Sequence, residues 1–367
     1  MKNLFDYVEG YGNLTFNELL FNELDGVILA LTSLIDVANC IPFIGKDSIQ
    51  FKEVIKKQVE LHGINQLGLI ISQALARLLV QASSTIRFSS LLVGDLVQNI
   101  NLEEETQTTF FSVFLPNKTR IVVCGGTDDT IVGWKEDFKM MIDGHAPCLE
   151  HSCDYLNMVG VHSKKIIVLG HSKGGMEALY AAAFAKRKVR NKIIDAYSFD
   201  GPGYPKDVIE SKSFISMLDR MHLIVPNGGL VGRLFLNPVE PKIVPSSYRG
   251  LNQHDPLSWE VIDDHFAKAN EFTVQSNALI NRMNEIITSL NIDEKEEFIS
   301  NLFLIFNAGG ALTLTDIGKK PHKALVQYLK LPKNKRSLIN SLIIKLVNDK
   351  IVARELLIGA ITIPKTQ

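Results

Sequence analysis

A repeated strand–helix–strand pattern in the middle of the chain constrains the fold more than any other feature of the sequence. Residues 165–169 form a short β-branched run, and residues 174–188 are rich in Ala, Leu and Met and end in a basic turn. Two more predicted strands follow, at Ile193–Phe199 and at residues 221–225. Such runs, separated by helices, are typical of parallel strands that are covered on both faces and joined by right-handed crossovers. The pattern predicts an α/β fold with a mostly parallel sheet.

The N-terminal part of the chain has a different pattern. We predict that the first hundred residues are mainly helical, because apolar residues there recur at helical spacing and residues 67–80 are apolar almost all round. Two apolar runs, 109–115 and 120–123, flank the turn-forming tripeptide Pro116-Asn117-Lys118. They predict a β-hairpin.

After about Phe266 the strand signals stop and helical patterns continue to the end of the chain, at residues 274–290, 296–306 and 338–347. We therefore expect an α/β domain over residues 1–268, which includes an N-terminal helical segment over residues 1–105. A helical C-terminal region with a basic tail is expected over residues 269–367.

Charge is distributed unevenly along the chain. The 39 basic and 40 acidic side chains give a net charge of −1, but residues 317–367 carry eleven Lys and Arg against two acidic residues. This tail could meet an anionic membrane surface, although a solvated helix face is the simpler interpretation. Nucleic acid is not expected as a partner, because Tyr328 is the only aromatic residue of this basic tail that could stack on a base.

The sequence carries no signal that we interpret as export. It begins Met1-Lys2-Asn3-Leu4-Phe5-Asp6, without the basic start and apolar core of a signal peptide, and it has no uncharged apolar stretch of about 18 residues. Four cysteines are too few for a disulfide scaffold in a chain of this length. We expect a cytoplasmic protein, and export without a signal peptide stays open.

The segment Gly170-His171-Ser172-Lys173-Gly174 fits the pattern G-x-S-x-G and is followed by Gly175. A serine on a sharp strand-to-helix turn lifts its hydroxyl above the sheet edge, and the glycines prevent clashes with the adjacent strand and helix. Because this match follows a β-run and opens a helix, we predict that Ser172 is a nucleophile and that the backbone N–H of Lys173 is an oxyanion donor. The alternatives are an ordinary glycine-rich turn or a phosphate-binding loop, but neither glycine motif typical of phosphate loops occurs.

A serine nucleophile needs a general base, and in this class of fold the chain order is Ser, acid, His. His254 is the leading candidate, because it lies in a loop beyond the last predicted strand and before a helix expected to start near Pro256. His222 lies within a strand, where a packed histidine is more common, and His265 falls on an expected helix surface over residues 261–266. The simpler interpretation of His254 is a surface loop residue.

The acid is less clearly marked. Asp200 directly follows the strand that ends at Phe199, so its carboxylate leaves the sheet at the edge that carries the serine turn. Asp255 is the alternative, but adjacent side chains on a loop usually diverge, and Asp255 could instead cap the helix after Pro256. We predict Asp200.

Four segments in this order and spacing resemble the Mbeg-like family of bacterial proteins (domain of unknown function 2974), which is related to lipases of the α/β-hydrolase superfamily: GTDDTIVGWKEDF from residue 126, GHSKGG from 170, FDGPG from 199 and QHDPLSW from 253. The resemblance covers most of the chain. It implies an α/β-hydrolase fold with Ser172 as nucleophile, His254 as base, and Thr127 as an oxyanion donor beside Lys173. The acid of related class 3 lipases would fall near residues 227–229, where no acidic residue stands.

The short segment 145–153 contains two histidines and two cysteines: His145, Cys148, His151 and Cys153. Structural zinc sites usually draw their ligands from two separated segments, so we expect helix residues here and predict neither a metal site nor a cofactor.

The sequence therefore predicts a serine ester hydrolase that acts through an acyl-enzyme on a carboxylic ester, with lipid acyl esters as the candidate substrates. An acyltransferase would use the same site chemistry. A catalytically silent hydrolase fold that serves as a binding or anchoring module is the other alternative.

Overall fold

The protein is described by a computed structural model that covers residues 1–64, 72–127, 130–143, 146–308, 310 and 321–347. Its main feature is an eight-stranded sheet in which the spatial order follows the chain order. The strands are β1 (Ile49–Gln50), β2 (Leu92–Asn101), β3 (Thr106–Phe114), β4 (Thr119–Cys124), β5 (Lys165–His171), β6 (Ile193–Phe199), β7 (Met221–Pro226) and β8 (Pro241–Val244).

The sheet combines an antiparallel and a parallel part. Strands β1 to β4 pair as antiparallel neighbours, and β4 to β8 pair in parallel. The antiparallel β3–β4 pair confirms the predicted hairpin around Pro116-Asn117-Lys118. The predicted α/β class with a large, mostly parallel sheet is also confirmed.

Helices lie on both faces of this sheet and continue beyond it. They are α1 (Leu4–Tyr11), α2 (Glu23–Leu31), α3 (Val37–Cys40), α4 (Phe51–His62), α5 (Gln73–Ser83), α6 (Ile86–Ser89), α7 (Ile131–Asp143), α8 (Pro147–Gly160), α9 (Lys173–Phe184), α10 (Arg187–Arg190), α11 (Lys206–Ile209), α12 (Lys212–Ile215), α13 (Val274–Thr288), α14 (Ile292–Phe306), α15 (Pro321–Lys330) and α16 (Lys333–Val347).

The apolar run of β5 shows how the sheet is covered. Ile167 and Leu169 pack in one core with the N-terminal helices, whereas Ile166 and Val168 pack in a second core with α8 and α9. Successive side chains of a strand point to opposite faces, so a continuous apolar run requires a cover on both sides. This arrangement leaves the carboxyl ends of β4 to β8 at one common edge.

Helices α1 to α6 agree with the prediction of a mainly helical N-terminal part, which missed a strand, and the helix predicted over residues 261–266 is wrong. The first hundred residues include the strand β2, whose polar residues hide its period and which is specified by its pairing with β3. Residues 261–266 form a small hairpin, β9 (Val261–Ile262) and β10 (His265–Phe266), because Asp263 adopts a left-handed turn conformation with φ of 52°. Both differences arise from strand pairing that local periodicity does not reveal.

Other elements have different bounds from those predicted. The helix expected to start near Pro256 is only a 3₁₀ turn, Pro256–Ser258. The helix expected over residues 67–80 is α5, which begins at Gln73, and residues 67–71 lie outside the described part of the chain. Helix α9 ends at Phe184 because Ala185 leaves the helical conformation.

The C-terminal helices contact the carboxyl edge of the sheet. Phe303 of α14 packs edge-on against Phe138 of α7, with ring centroids 5.5 Å apart. Leu279 of α13 packs in one cluster with Leu230, which follows β7. The division at residue 268 remains a prediction. No helix in the described ranges has both the length and the apolar character needed to cross a bilayer.

Candidate active site

The Ser172 turn joins β5 to α9 in a conformation that few residues adopt. Ser172 has φ of 59° and ψ of −130°, and its N–H donates to the carbonyl oxygen of Phe199 at 3.0 Å. A Cβ at Gly170 would lie 2.1 Å from the carbonyl oxygen of Gly174, and one at Gly174 would lie 2.2 Å from that of Cys124. Only glycine fits at these two positions, so the local sequence specifies the sharp turn.

The start of α9 and the loop after β4 border this turn. Lys173 is the first residue of α9, and the first N–H groups of a helix have no partner within the helix. A Cβ at Gly126 would lie 3.1 Å from the carbonyl oxygen of His171 and 3.8 Å from Cβ of Ser172. The Gly126–Thr127 backbone therefore runs directly beside Ser172. A helix N-terminus and an adjacent loop of this kind can supply N–H groups to an oxyanion.

Asp200 and His254 form a close pair at the same edge of the sheet. Oδ2 of Asp200 lies 2.6 Å from Nδ1 of His254, although 54 residues separate them in sequence. Asp200 is fully buried, and its other oxygen, Oδ1, accepts the N–H of Gly232 at 2.9 Å. A carboxylate at Nδ1 favours the tautomer with the proton on that nitrogen, which leaves Nε2 as an acceptor. The pair can therefore act as an oriented general base.

His171, which had no predicted role, contacts His254 directly. Its Nε2 lies 2.9 Å from the carbonyl oxygen of His254, and the two ring centroids are 4.5 Å apart. Because a carbonyl oxygen only accepts, Nε2 of His171 carries the proton. Burial, reinforced by the neighbouring His254, lowers the pKa of His171 to about 3, so the ring is neutral. His171 therefore holds the His254 loop without adding a charge.

Two neighbours of His254 also anchor this loop. The indole Nε1 of Trp259 donates to the carbonyl oxygen of Gln253 at 2.7 Å, and Oε1 of Gln253 accepts the N–H of Gly228 at 2.9 Å. Both residues belong to the QHDPLSW segment, so this segment is the feature of the sequence that could have indicated their role in holding the loop.

The other sequence candidates have different partners. Oδ1 of Asp255 accepts the N–H of Leu257 at 3.0 Å and so caps the 3₁₀ turn. Nε2 of His222 lies 2.8 Å from Oδ1 of Asp195. His265 is exposed, with Nδ1 3.1 Å from Oδ1 of Asp264 on the β9–β10 hairpin. The structure brings Asp200, not Asp255, to His254.

The segment considered for zinc lies in α8. Cys148 and Cys153 are buried there as free thiols, and burial raises the pKa of both. His145 lies outside the described residues. Across the described ranges, no group of three or more His, Cys, Asp or Glu side chains has a metal-binding arrangement.

Comparison with known proteins gives one match. A family model described as Mbeg1-like matches residues 82–304, which is more than half of the chain and includes the segment from Gly126 to His254. No curated protein and no solved structure matches the chain.

Proposed function

The chain belongs to the Mbeg1-like family, and we propose that it is a serine hydrolase with an α/β-hydrolase fold that cleaves carboxylic esters through an acyl-enzyme. The observation that supports this most directly is the 2.6 Å contact between Asp200 and Nδ1 of His254. Ser172, whose φ is positive, stands at the end of the neighbouring strand β5. A nucleophile, an oriented base and a helix N-terminus at one sheet edge are the parts that acyl transfer requires.

In the proposed reaction, Oγ of Ser172 attacks the ester carbonyl carbon and Nε2 of His254 takes the hydroxyl proton. The N–H groups of Lys173 and Thr127 donate to the carbonyl oxygen as it becomes negative. Collapse of this intermediate breaks the bond to the alcohol, which receives the proton from His254. Water then attacks the acyl-enzyme with the same base, releasing the acid and restoring Ser172.

The buried carboxylate of Asp200 holds the imidazole and stabilises the imidazolium that forms in each step. The sequence left a silent binding module open because the class 3 lipase position lacks an acid. Asp200 supplies a carboxylate to His254 from another strand end, which removes that argument. Acyl transfer to an alcohol would use the same groups, with the alcohol in place of water.

We also propose that the exposed face of α15 binds an anionic lipid surface. Leu325, Val326 and Leu329 are 58%, 47% and 56% exposed, and the exposed Lys330 borders this apolar face. Helical spacing of apolar residues next to Lys suits an interfacial position. This surface would bring the protein to lipid acyl esters, the substrate class we propose.

Labelling with a fluorophosphonate probe tests the hydrolase proposal. We expect the wild type to be labelled and to hydrolyse short acyl esters, and Ser172→Ala to lose both while staying folded by circular dichroism. Loss of a triad nucleophile lowers kcat by about 10⁶ in comparable enzymes. Ser163→Ala is the matched control, because this hydroxyl donates to the carbonyl oxygen of Val159 before β5 begins. Wild-type protein that is neither labelled nor active would refute the proposal.

A further inference from the structure

The side chain of Lys173 lies in the interior behind the serine turn, and the proposed reaction uses only its backbone N–H. Its Nζ lies 2.9 Å from Oε2 of Glu136 and 2.9 Å from Oε1 of Gln107, and it also donates to the main-chain oxygen of Gln107. The Lys173 and Glu136 side chains are 2% and 1% exposed. This ion pair is therefore almost completely removed from water.

The ion pair leads to the second proposed oxyanion donor. Glu136 lies on α7, and the next residue, Asp137, accepts the hydroxyl of Thr127 at 2.8 and 2.7 Å from its two oxygens. Oε2 of Glu136 also accepts the N–H of Gln107 at 3.1 Å, which ties α7 to β3. A continuous set of contacts thus connects Lys173 to Thr127 through two successive residues of one helix.

A buried ion pair is weak evidence for a stabilising role. Removing two charges from water is expensive, and apolar replacements of buried pairs are often as stable. Burial disfavours the charged lysine, yet the carboxylates of Glu136 and Glu177 together raise the pKa of Lys173 above its usual value. Burial raises the pKa of Glu177 strongly. Glu136 is the carboxylate that lies within hydrogen-bond distance of the Lys173 Nζ, at 2.9 Å.

We propose that the Lys173–Glu136 ion pair sets the distance between the two oxyanion donors, so that both residues act as positioning residues through these side chains. The inference rests on the proposed hydrolase function. Donors must lie about 2.7–3.1 Å from the developing oxyanion, so a small shift of α7 and its preceding loop weakens one of the two hydrogen bonds. The pair fixes that loop from the same residue that supplies the other donor.

The test is the double variant Lys173→Met/Glu136→Gln. It removes both charges of the pair, and Gln at 136 can still accept the N–H of Gln107. We expect it to fold, to keep KM within about twofold, and to lose about 10²-fold in kcat, as for loss of one oxyanion donor. A merely structural role would change thermal stability without this separation of kcat from KM.

Glu105→Gln is the matched control. Glu105 pairs with Lys135 and Lys139, which lie on α7, the helix that also carries Glu136. All three side chains are partly exposed. We expect the control to keep the wild-type kcat. If the double variant does not fold, Glu136→Gln alone is measured, with the same expectation for kcat and KM.

Three results would overturn the inference. The first is a kcat within about threefold of wild type in the folded double variant, or in Glu136→Gln where that is measured instead, while Ser172→Ala is inactive. This result would leave the hydrolase proposal intact. The second is an equal loss in Glu105→Gln, which would assign the effect to α7 as a whole. The third is wild-type protein without Ser172-dependent labelling or hydrolysis, which would refute both proposals.

Discussion

Replacing Asp200 by Asn tests the proposed acid at the atom that the structure identifies. The Oδ2 atom that faces Nδ1 of His254 at 2.6 Å becomes an amide nitrogen, or the amide rotates and breaks the contact of Oδ1 with Gly232. An amide N–H at this place favours the tautomer with the proton on Nε2, which is the nitrogen that must accept the Ser172 proton. The size and burial of the side chain stay the same, so the fold should persist.

The expected loss is about 10⁴-fold in kcat, or roughly 5 kcal/mol of transition-state stabilisation. Steady-state ester hydrolysis, with labelling rates as a second readout, measures it. Asp255→Asn is the matched control, because that carboxylate caps a 3₁₀ turn and the Asn side-chain oxygen can accept the same N–H; it should leave both stability and kcat nearly unchanged. A folded Asp200→Asn enzyme with kcat within about tenfold of wild type would refute the reasoning, and the reverse pattern would make Asp255 the acid.

Three further results are expected. A Cβ at residue 232 would lie 2.5 Å from Oδ1 of Asp200, so Gly232→Ala should displace that carboxylate and lower kcat by about 10²-fold in steady-state assays; unchanged kcat would contradict this. Burial raises the pKa of Asp137 from 3.8 to about 6, so the folded state binds the proton more tightly and this carboxyl lowers stability as pH rises from about 4 to 6. Relative to Asp137→Asn, the free energy of unfolding of the wild type should fall by about 1 kcal/mol per pH unit over this pH range, as measured by chemical unfolding. The same pH dependence of the unfolding free energy in both proteins would contradict this. Vesicle binding should increase with anionic lipid and weaken between about 50 and 500 mM salt, whereas Leu329→Glu should reduce it; binding insensitive to lipid charge and salt would exclude the proposed surface.

The sequence by itself determined the elements whose signals are local. The strand predicted at Ile193–Phe199 forms β6 with those bounds, and the turn tripeptide at 116–118 joins two paired strands. The glycines around Ser172 specify a strand-to-helix turn because a Cβ at 170 or 174 would overlap backbone atoms a few ångströms away. Such features depend on neighbouring residues, so a pattern in the sequence can reveal them.

Tertiary structure alone decided which polar groups meet. The sequence left both Asp200 and Asp255 as candidates for the acid, but Asp200 is the one that contacts His254, because Asp255 turns toward the N–H of Leu257. The inward direction of the Lys173 side chain is equally absent from the pattern, since its partner Gln107 lies 66 residues away. Contacts of this kind depend on where the strand ends and helices are packed, and the free energy of a buried charge depends on every group around it.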